Sequence, residues 1–336
     1  MPDSRSDGRS PRIGDFDYAV VIPLYNKSSY IERALDSIAL QAARPRQIIV
    51  IDDGSTDDGP AKVEARAKSD PSIQLIRQSN AGVSAARNRG IRECSTKWVA
   101  FLDADDAYLP WFTSELATLA GLFPEAQLLA TNFREVSSNF DLGQFNATDN
   151  PERVTRERVT NFYDRWWRGS FFFTSSVCAS RQALERLGVP FPEDERHGED
   201  LDLFFRLSES GPIAWTSRAS SIYVRGIEGS LTSLGVQLDP EPPFHRLLAR
   251  LESPQFPEAE RAGARNCTAT YWMTIARNRI NCGRLEGAWT LLRHPVTRHR
   301  PVYWLRTAGL LGAALTKRAF GIGVVGASYR VPKKDP

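Results

Sequence analysis

Apolar residues run almost unbroken from Tyr18 to Leu24 (Tyr-Ala-Val-Val-Ile-Pro-Leu), the mark of a strand buried on both faces of a largely parallel sheet. Pro23 and then Asn26 end the run. Ser29 and Glu32 have capping-box spacing for a helix whose Ile31, Ala34, Leu35 and Ile38 make one apolar stripe. The alternation repeats: a strand at 48–51, a helix near 60–68, a strand at 73–77, a helix at 83–93 and a strand at 97–102. Such a βαβ series predicts an α/β fold with ligand sites at the carboxyl ends of its strands.

Beyond residue 102 the pattern loosens. Pro110 and Trp111 open a helix that places Leu116, Leu119 and Leu122 inside, residues 127–131 read as another strand, and 132–150 is a polar excursion. Trp166, Trp167 and Phe171 to Phe173 form an aromatic cluster suited first to core packing and, as a second reading, to stacking on sugars. A strand at 175–180, a helix at 181–187 closed by Gly188 and strands at 213–216 and 221–225 follow. From Val236 the composition shifts: Pro240, Pro242 and Pro243 make a linker, and helical periodicity resumes at 244–251, 258–282, 285–293 and 302–314. The organisation expected is a disordered tail at 1–15, an α/β domain at 16–235 and a helical region at 236–336.

Composition narrows the possibilities. A net charge of +3, with basic residues spread among acids, gives no electrostatic reason to expect nucleic acid as a partner. Cys94, Cys178, Cys267 and Cys282 lie far apart, which fits reduced thiols rather than zinc or a disulfide framework. The first fifteen residues contain no apolar core segment, so no signal peptide is expected there and the cytoplasm is the default compartment.

The chemistry gathers where strands end. Phe101 to Asp106 reads Phe-Leu-Asp-Ala-Asp-Asp; on an extended backbone Asp103 and Asp105 would share one face, and converging oxygens suit Mg2+ or Mn2+. A solvated acidic turn is the plain alternative. Asp52 and Asp53 end the second strand, and Glu199 and Asp200 open a helix whose N-terminus favours ionised carboxylates. No Gly-x-Gly-x-x-Gly follows the first strand and no P-loop occurs, which removes the main support for dinucleotide oxidoreductases and P-loop NTPases.

Four short stretches, in order, carry a resemblance: Val21-Ile22-Pro23-Leu24-Tyr25-Asn26, Asp52-Asp53-Gly54-Ser55, Asn80-Ala81-Gly82 with Ala86-Arg87-Asn88, and Asp103-Ala104-Asp105-Asp106. Together they resemble the signature of family 2 glycosyltransferases with the GT-A fold, over about residues 17 to 125 and, more weakly, to Tyr223. The resemblance implies a mixed, mainly parallel sheet and an inverting transfer from a nucleotide sugar, with a UDP-sugar expected. It implies nucleotide contacts at Pro23, Tyr25, Asn26, Asp53, Gly82, Arg87 and Asp103, and a divalent metal held by Asp105 with Asp103. Gly-Glu-Asp at 198–200 resembles the family's acid motif, with Asp200 as base and Glu199 beside it. Trp167 is a further acceptor-side candidate. Many relatives carry a histidine in the closing loop where this chain has Ile227; either Glu228 substitutes for it, or the metal has only Asp and phosphate ligands.

The acceptor implied is a carbohydrate or lipid-linked hydroxyl, plausible for a bacterial surface polysaccharide. Rival readings are an Asp-nucleophile phosphatase, a phosphoreceiver domain resting on Asp52-Asp53, and a nucleotide-binding domain without activity. Residues 307–316 are apolar but too short to span a bilayer. Interleaved with Arg306, Lys317 and Arg318, the stretch 302–327 is expected to attach at most to a membrane surface, on the inner face of the cytoplasmic membrane.

Overall fold

A computed structural model describes residues 13–145, 153–195, 198–227 and 236–320. In chain order the elements are β1 (Tyr18–Leu24), α1 (Ile31–Ala39), β2 (Gln47–Asp52), α2 (Gly59–Ala67), β3 (Ile73–Arg77), α3 (Val83–Glu93) and β4 (Trp98–Phe101). Then come β5 (Ala107–Tyr108), α4 (Phe112–Leu122), β6 (Leu128–Ser137), β7 (Arg156–Arg158), α5 (Phe162–Trp166), β8 (Val177–Ser180), α6 (Arg181–Arg186), α7 (Glu199–Ser210) and β9 (Ile213–Arg225). The chain continues through α8 (Pro242–Leu251), α9 (Glu258–Asn281), α10 (Leu285–Leu292) and α11 (Pro301–Ala319). Two compact units result: a sheet unit of residues to Thr160 and from Phe171 through β9, and a helical unit of Asn161–Ser170 with the described residues from 236.

In the sheet unit the strand order is β3-β2-β1-β4-β8-β6-β9-β5, with β7 on β9. The first four are parallel, β8 runs antiparallel between β4 and β6, and β6 and β9 are parallel to one another. β1 is central and all but Pro23 of its residues are buried, as its uninterrupted apolar run requires. Each such large aliphatic side chain contributes about 1.5–3 kcal/mol. Ile31, Ala34, Leu35 and Ile38 of α1 are buried as their spacing predicts. α3 lies against β1 at Gly90, where a Cβ would sit 2.3 Å from Val21 Cγ1.

Several expectations change. α1 begins after Tyr30 with no side-chain cap, so the Ser29–Glu32 capping box does not form; Asp57 instead accepts from the Ser28 N–H at 2.8 Å. Leu122 is exposed, at the last turn of α4, rather than inside. β6 continues to Ser137, into the stretch read as a polar excursion, because its outer half pairs with β9 and needs no apolar faces. The strands expected at 213–216 and 221–225 are one strand: β9 passes through 217–220 with register slips opposite Thr131, Asn132 and Phe133. Pro242 and Pro243 belong to α8, with Pro at its first turn, where a missing N–H costs nothing. Of the tail expected at 1–15, only Ile13–Asp15 lies within the described residues, as a 3-10 turn.

The helical unit is organised around α9, against which α5, α8, α10 and α11 pack. Tyr163, Phe256, Cys267, Trp272 and Ile280 are among its buried residues. The segment 161–170 therefore packs with the C-terminal helices although it lies within the sequence span 16–235. All four cysteines are unpaired thiols, three of them buried, and burial pushes Cys94 and Cys267 up to about 12.

Candidate active site

The carboxyl ends of β1, β2 and β3 are tied together by side chains. Asn26, in the left-handed region at φ 50°, accepts through Oδ1 from the Thr56 N–H at 2.8 Å, and its own N–H donates to Ser55 Oγ. Asp53 is buried: Oδ1 accepts from Gln78 Nε2 and the Ala81 N–H, and Oδ2 from the Gly82 N–H, all at 2.8 Å. A carboxylate offers about four acceptor positions, so Asp53 Oδ2 keeps one. Gly82 holds φ 91°, and a Cβ there would meet nothing within 4 Å; backbone conformation, not crowding, calls for glycine. Tyr25 is 48% exposed over these loops, while Pro23 lies within β1.

After β4 the chain turns instead of staying extended. The Asp106 N–H donates to the Asp103 carbonyl at 3.0 Å, so Asp103 and Asp105 sit on a turn rather than on extended backbone. Their carboxylates meet different cations: Asp103 Oδ1 accepts from Arg87 Nη2 at 2.7 Å, and Asp105 Oδ2 lies 2.8 Å from Lys27 Nζ. Asp106 is buried beneath. Its Oδ2 accepts from Ser175 Oγ at 2.6 Å and its Oδ1 from the Val224 N–H at 3.0 Å. Burial, with Asp103 and Asp105 close by, pushes the Asp106 carboxyl well above the usual range.

Ser175 also accepts from the Asp103 N–H at 3.0 Å, so one hydroxyl fixes both ends of the acidic turn. It stands in a 3-10 turn, Thr174–Ser176, before β8, where the sequence reads as strand. The preceding Thr174 donates through Oγ1 to Asp200 Oδ2 at 3.1 Å, while Asp200 Oδ1 accepts from the Leu201 N–H at 2.8 Å. Asp200 stands in the first turn of α7, after Gly198 at φ 75°. Burial first, and Glu199 second, raise its carboxyl to about 6 against the lowering pull of Arg87 and the two hydrogen bonds.

Arg87 connects the two acidic groups. On α3 and only 3% exposed, it donates through Nη1 to Glu199 Oε1 at 2.8 Å and through Nη2 to Asp103. Its guanidinium also lies 5.2 Å from the Phe191 ring centre. Burial alone would weaken its charge, but the two carboxylates outweigh that and raise its pKa. Neighbouring Asn88 pins the loop before α7, donating to the Phe191 carbonyl at 2.7 Å and accepting from its N–H.

The aromatic cluster is divided between the units. Trp166 and Trp167 belong to the helical unit, where Arg300 lies 4.5 Å from the Trp167 ring centre, and Phe171 to Phe173 to the sheet unit. Phe173 packs with Phe133 and Tyr223 at centroid distances of 4.8 and 5.2 Å. These rings adjoin Thr174 and Val224, the residues that contact Asp200 and Asp106. Glu228 and the rest of the closing loop beyond Ile227 lie outside the described residues.

Asp103 and Asp105 supply hard oxygen donors suited to Mg2+ or Mn2+. Among the described residues no group of three Asp, Glu, His or Cys converges, so such an ion would complete its shell from a ligand's oxygens. Sequence reading missed Lys27, Gln78, Thr174 and Ser175. Only Lys27, one residue after a quoted stretch, had a positional signal.

Residues 19–185 match the family described as glycosyl transferase family 2. The uncharacterized glycosyltransferase YibD of Escherichia coli K12 is 41% identical over 102 residues, 30% of each chain. The putative glycosyltransferase EpsH of Bacillus subtilis is 28% identical over 192 residues, covering 56% of this chain and 54% of that one. This chain thus spans about half or less of the length of these relatives. Among solved structures, S. aureus TarS 1-349 in complex with UDP-GlcNAc aligns with TM-score 0.63 at 17% identity, over 91% of this chain and 83% of that one, which speaks for the fold.

Proposed function

This chain belongs to glycosyl transferase family 2, and from that premise we propose that it moves a sugar from a nucleotide sugar to an acceptor hydroxyl with inversion, Asp200 acting as base. The observation that carries the reading is the Arg87 bridge, which joins the acidic turn at Asp103 to Glu199, the immediate neighbour of Asp200. A donor pocket and a base are thereby held in one rigid frame.

In this reading the nucleotide lies across the ends of β1, β2 and β4, where a doubly wound sheet offers a crevice. The exposed ring of Tyr25 stacks on the base, and Asp53 Oδ2 accepts one hydrogen bond from it. A UDP-sugar is the first donor to test, since uracil offers an imide N–H to that acceptor and TarS, alike in fold, was solved with UDP-GlcNAc. Asp105 with Asp103 would hold a divalent cation, which when bound neutralises charge on the leaving diphosphate. The partly buried rings of Phe173, Phe133 and Tyr223 provide the acceptor side, where a carbohydrate or lipid-linked hydroxyl is placed.

Asp200 takes the hydroxyl proton as the oxygen attacks the anomeric carbon opposite the diphosphate; one displacement inverts the centre. A carboxyl raised to about 6 is ionised at neutral pH yet more basic than an exposed aspartate. Glu199, committed to Arg87, has a positioning role. Transfer and UDP-induced thermal shift, measured across nucleotide sugars with and without Mn2+, test this. A ligand at a hundred times its dissociation constant adds about 2.7 kcal/mol. Asp200→Asn should keep that shift and lose transfer by about a hundredfold to ten-thousandfold. Near-normal transfer by Asp200→Asn, with loss in Glu199→Gln, would move the base to Glu199. UDP binding without transfer by the wild type, across the panel, would leave a binding domain.

A further inference from the structure

The last helix of the helical unit turns a greasy, basic face outward. Among the described residues twelve large hydrophobics are exposed, and five of them, Val302, Leu305, Leu310, Leu315 and Phe320, lie on or directly after α11. At 3.6 residues per turn, Trp304, Thr307, Leu311 and Ala314 make one stripe, and this stripe is taken up by the bundle: α11 packs on α9 and α10, and Trp304 Nε1 donates to the Leu292 carbonyl at 2.8 Å. Val302, Leu305, Gly309, Ala313, Thr316 and Phe320 fall on the opposite side. Val302, Leu305 and Phe320 there are 63%, 65% and 76% exposed.

Charge says what this face fits. Arg306 and Lys317, both exposed, run along one edge of the apolar stripe. Between Glu286 and Asp335 the sequence has nine Lys or Arg and no Asp or Glu. A second copy would bring the same positive charge against itself, and a nucleic acid would have no use for the exposed valine, leucines and phenylalanine. A surface that offers anionic headgroups above hydrocarbon satisfies both features. No helix among the described residues is long and apolar enough to cross a membrane, so α11 would lie in the interface.

We propose that the outward face of α11 docks the protein on an anionic lipid surface, with Val302, Leu305 and Phe320 entering the headgroup boundary and Arg306 and Lys317 meeting the headgroups. This rests on the helical unit and is independent of the reaction proposed above. Co-sedimentation of the full chain with vesicles of phosphatidylglycerol and phosphatidylcholine, against phosphatidylcholine alone, tests it. Binding should require the anionic lipid and fall as salt rises. A basic residue near such a surface is worth about fivefold, so Arg306→Gln/Lys317→Gln should weaken partition about twenty-fivefold. Val302→Ser/Leu305→Ser/Phe320→Ser should weaken it by about tenfold or more, both variants melting like the wild type. Failure to bind anionic vesicles, equal binding to neutral ones, or wild-type binding by either variant overturns the proposal. So does a dimer in sedimentation velocity that the apolar variant dissolves, which would give this face to a second copy.

Discussion

The sheet unit buries charge, and the helical unit exposes hydrocarbon. Arg87, Asp53, Asp106 and Glu199 are all buried in the first, each with partners supplied by the fold, whereas Val302, Leu305 and Phe320 stand in the open in the second. Both arrangements run against the usual partition of side chains, and it is the buried polar group and the contiguous apolar patch that carry information. The buried charges should be sensitive to single atoms, because removing one partner strands another. The exposed apolar residues should matter to a partner and hardly to folding.

Measurements at four sites can break or sharpen that contrast. The largest effect expected is on the acid limb of activity. With Asp200 near 6, transfer should fall about tenfold per unit below that value, to roughly a hundredth at pH 4. A profile flat to pH 4.5 would detach the base from Asp200. The same group links to stability with a definite sign. A carboxyl raised in the folded state stabilises fully below its ordinary value of 3.8 and loses that contribution as pH rises through about 6. Asp200→Asn should therefore melt higher at neutral pH by about 1–3 kcal/mol, two pH units being worth about 3 and partial solvent contact reducing it.

Next is Arg87→Met, which leaves Asp103 and Glu199 without their cation; a loss of about 3–5 kcal/mol in denaturant unfolding is expected. Adding Glu199→Gln to it should recover part of the loss, and strict additivity of the two would show that the bridge does not couple them. Gly90→Ala comes third, at about 1–3 kcal/mol, because a methyl would press into Val21 unless α3 backs away from β1. The smallest effect is Leu305→Ser, which should leave unfolding within about 0.5 kcal/mol of the wild type. A larger loss would mean that the outward face of α11 is covered within the protein.

Legibility in the sequence follows the range of the forces involved. β1, β2 and β4 are readable because burial on both faces demands an unbroken apolar run, a local signal. The acidic turn and the Glu199-Asp200 pair are readable because chemistry restricts residue type. Ser175 and Thr174 are opaque, since a hydroxyl in an aromatic and serine-rich run looks like any other until the fold brings Asp103, Asp106 and Asp200 to it. The Arg87 bridge depends on residues 112 positions apart in the chain, which no window of sequence contains. The same holds for 161–170: its aromatics advertise a packed surface without saying which helices pack on it.

The slip in β9 bears on how this chain can change over generations. Where β6 advances from Thr131 to Phe133, β9 advances from Thr216 to Ser221, and the surplus is put to use: Arg218 reaches Glu115 at 3.2 Å and lies 4.5 Å from the Trp111 ring centre. Beyond the slip, Val224 must arrive with its N–H toward Asp106. A strand that gains or loses one residue turns every later side chain to the opposite face. Insertions and deletions in β9 are thus confined to the slip and tolerated there only where the surplus absorbs them, while residues 221–225 can be substituted but not lengthened. A library of single-residue deletions along 213–225 should accordingly return survivors, if any, at 217–220.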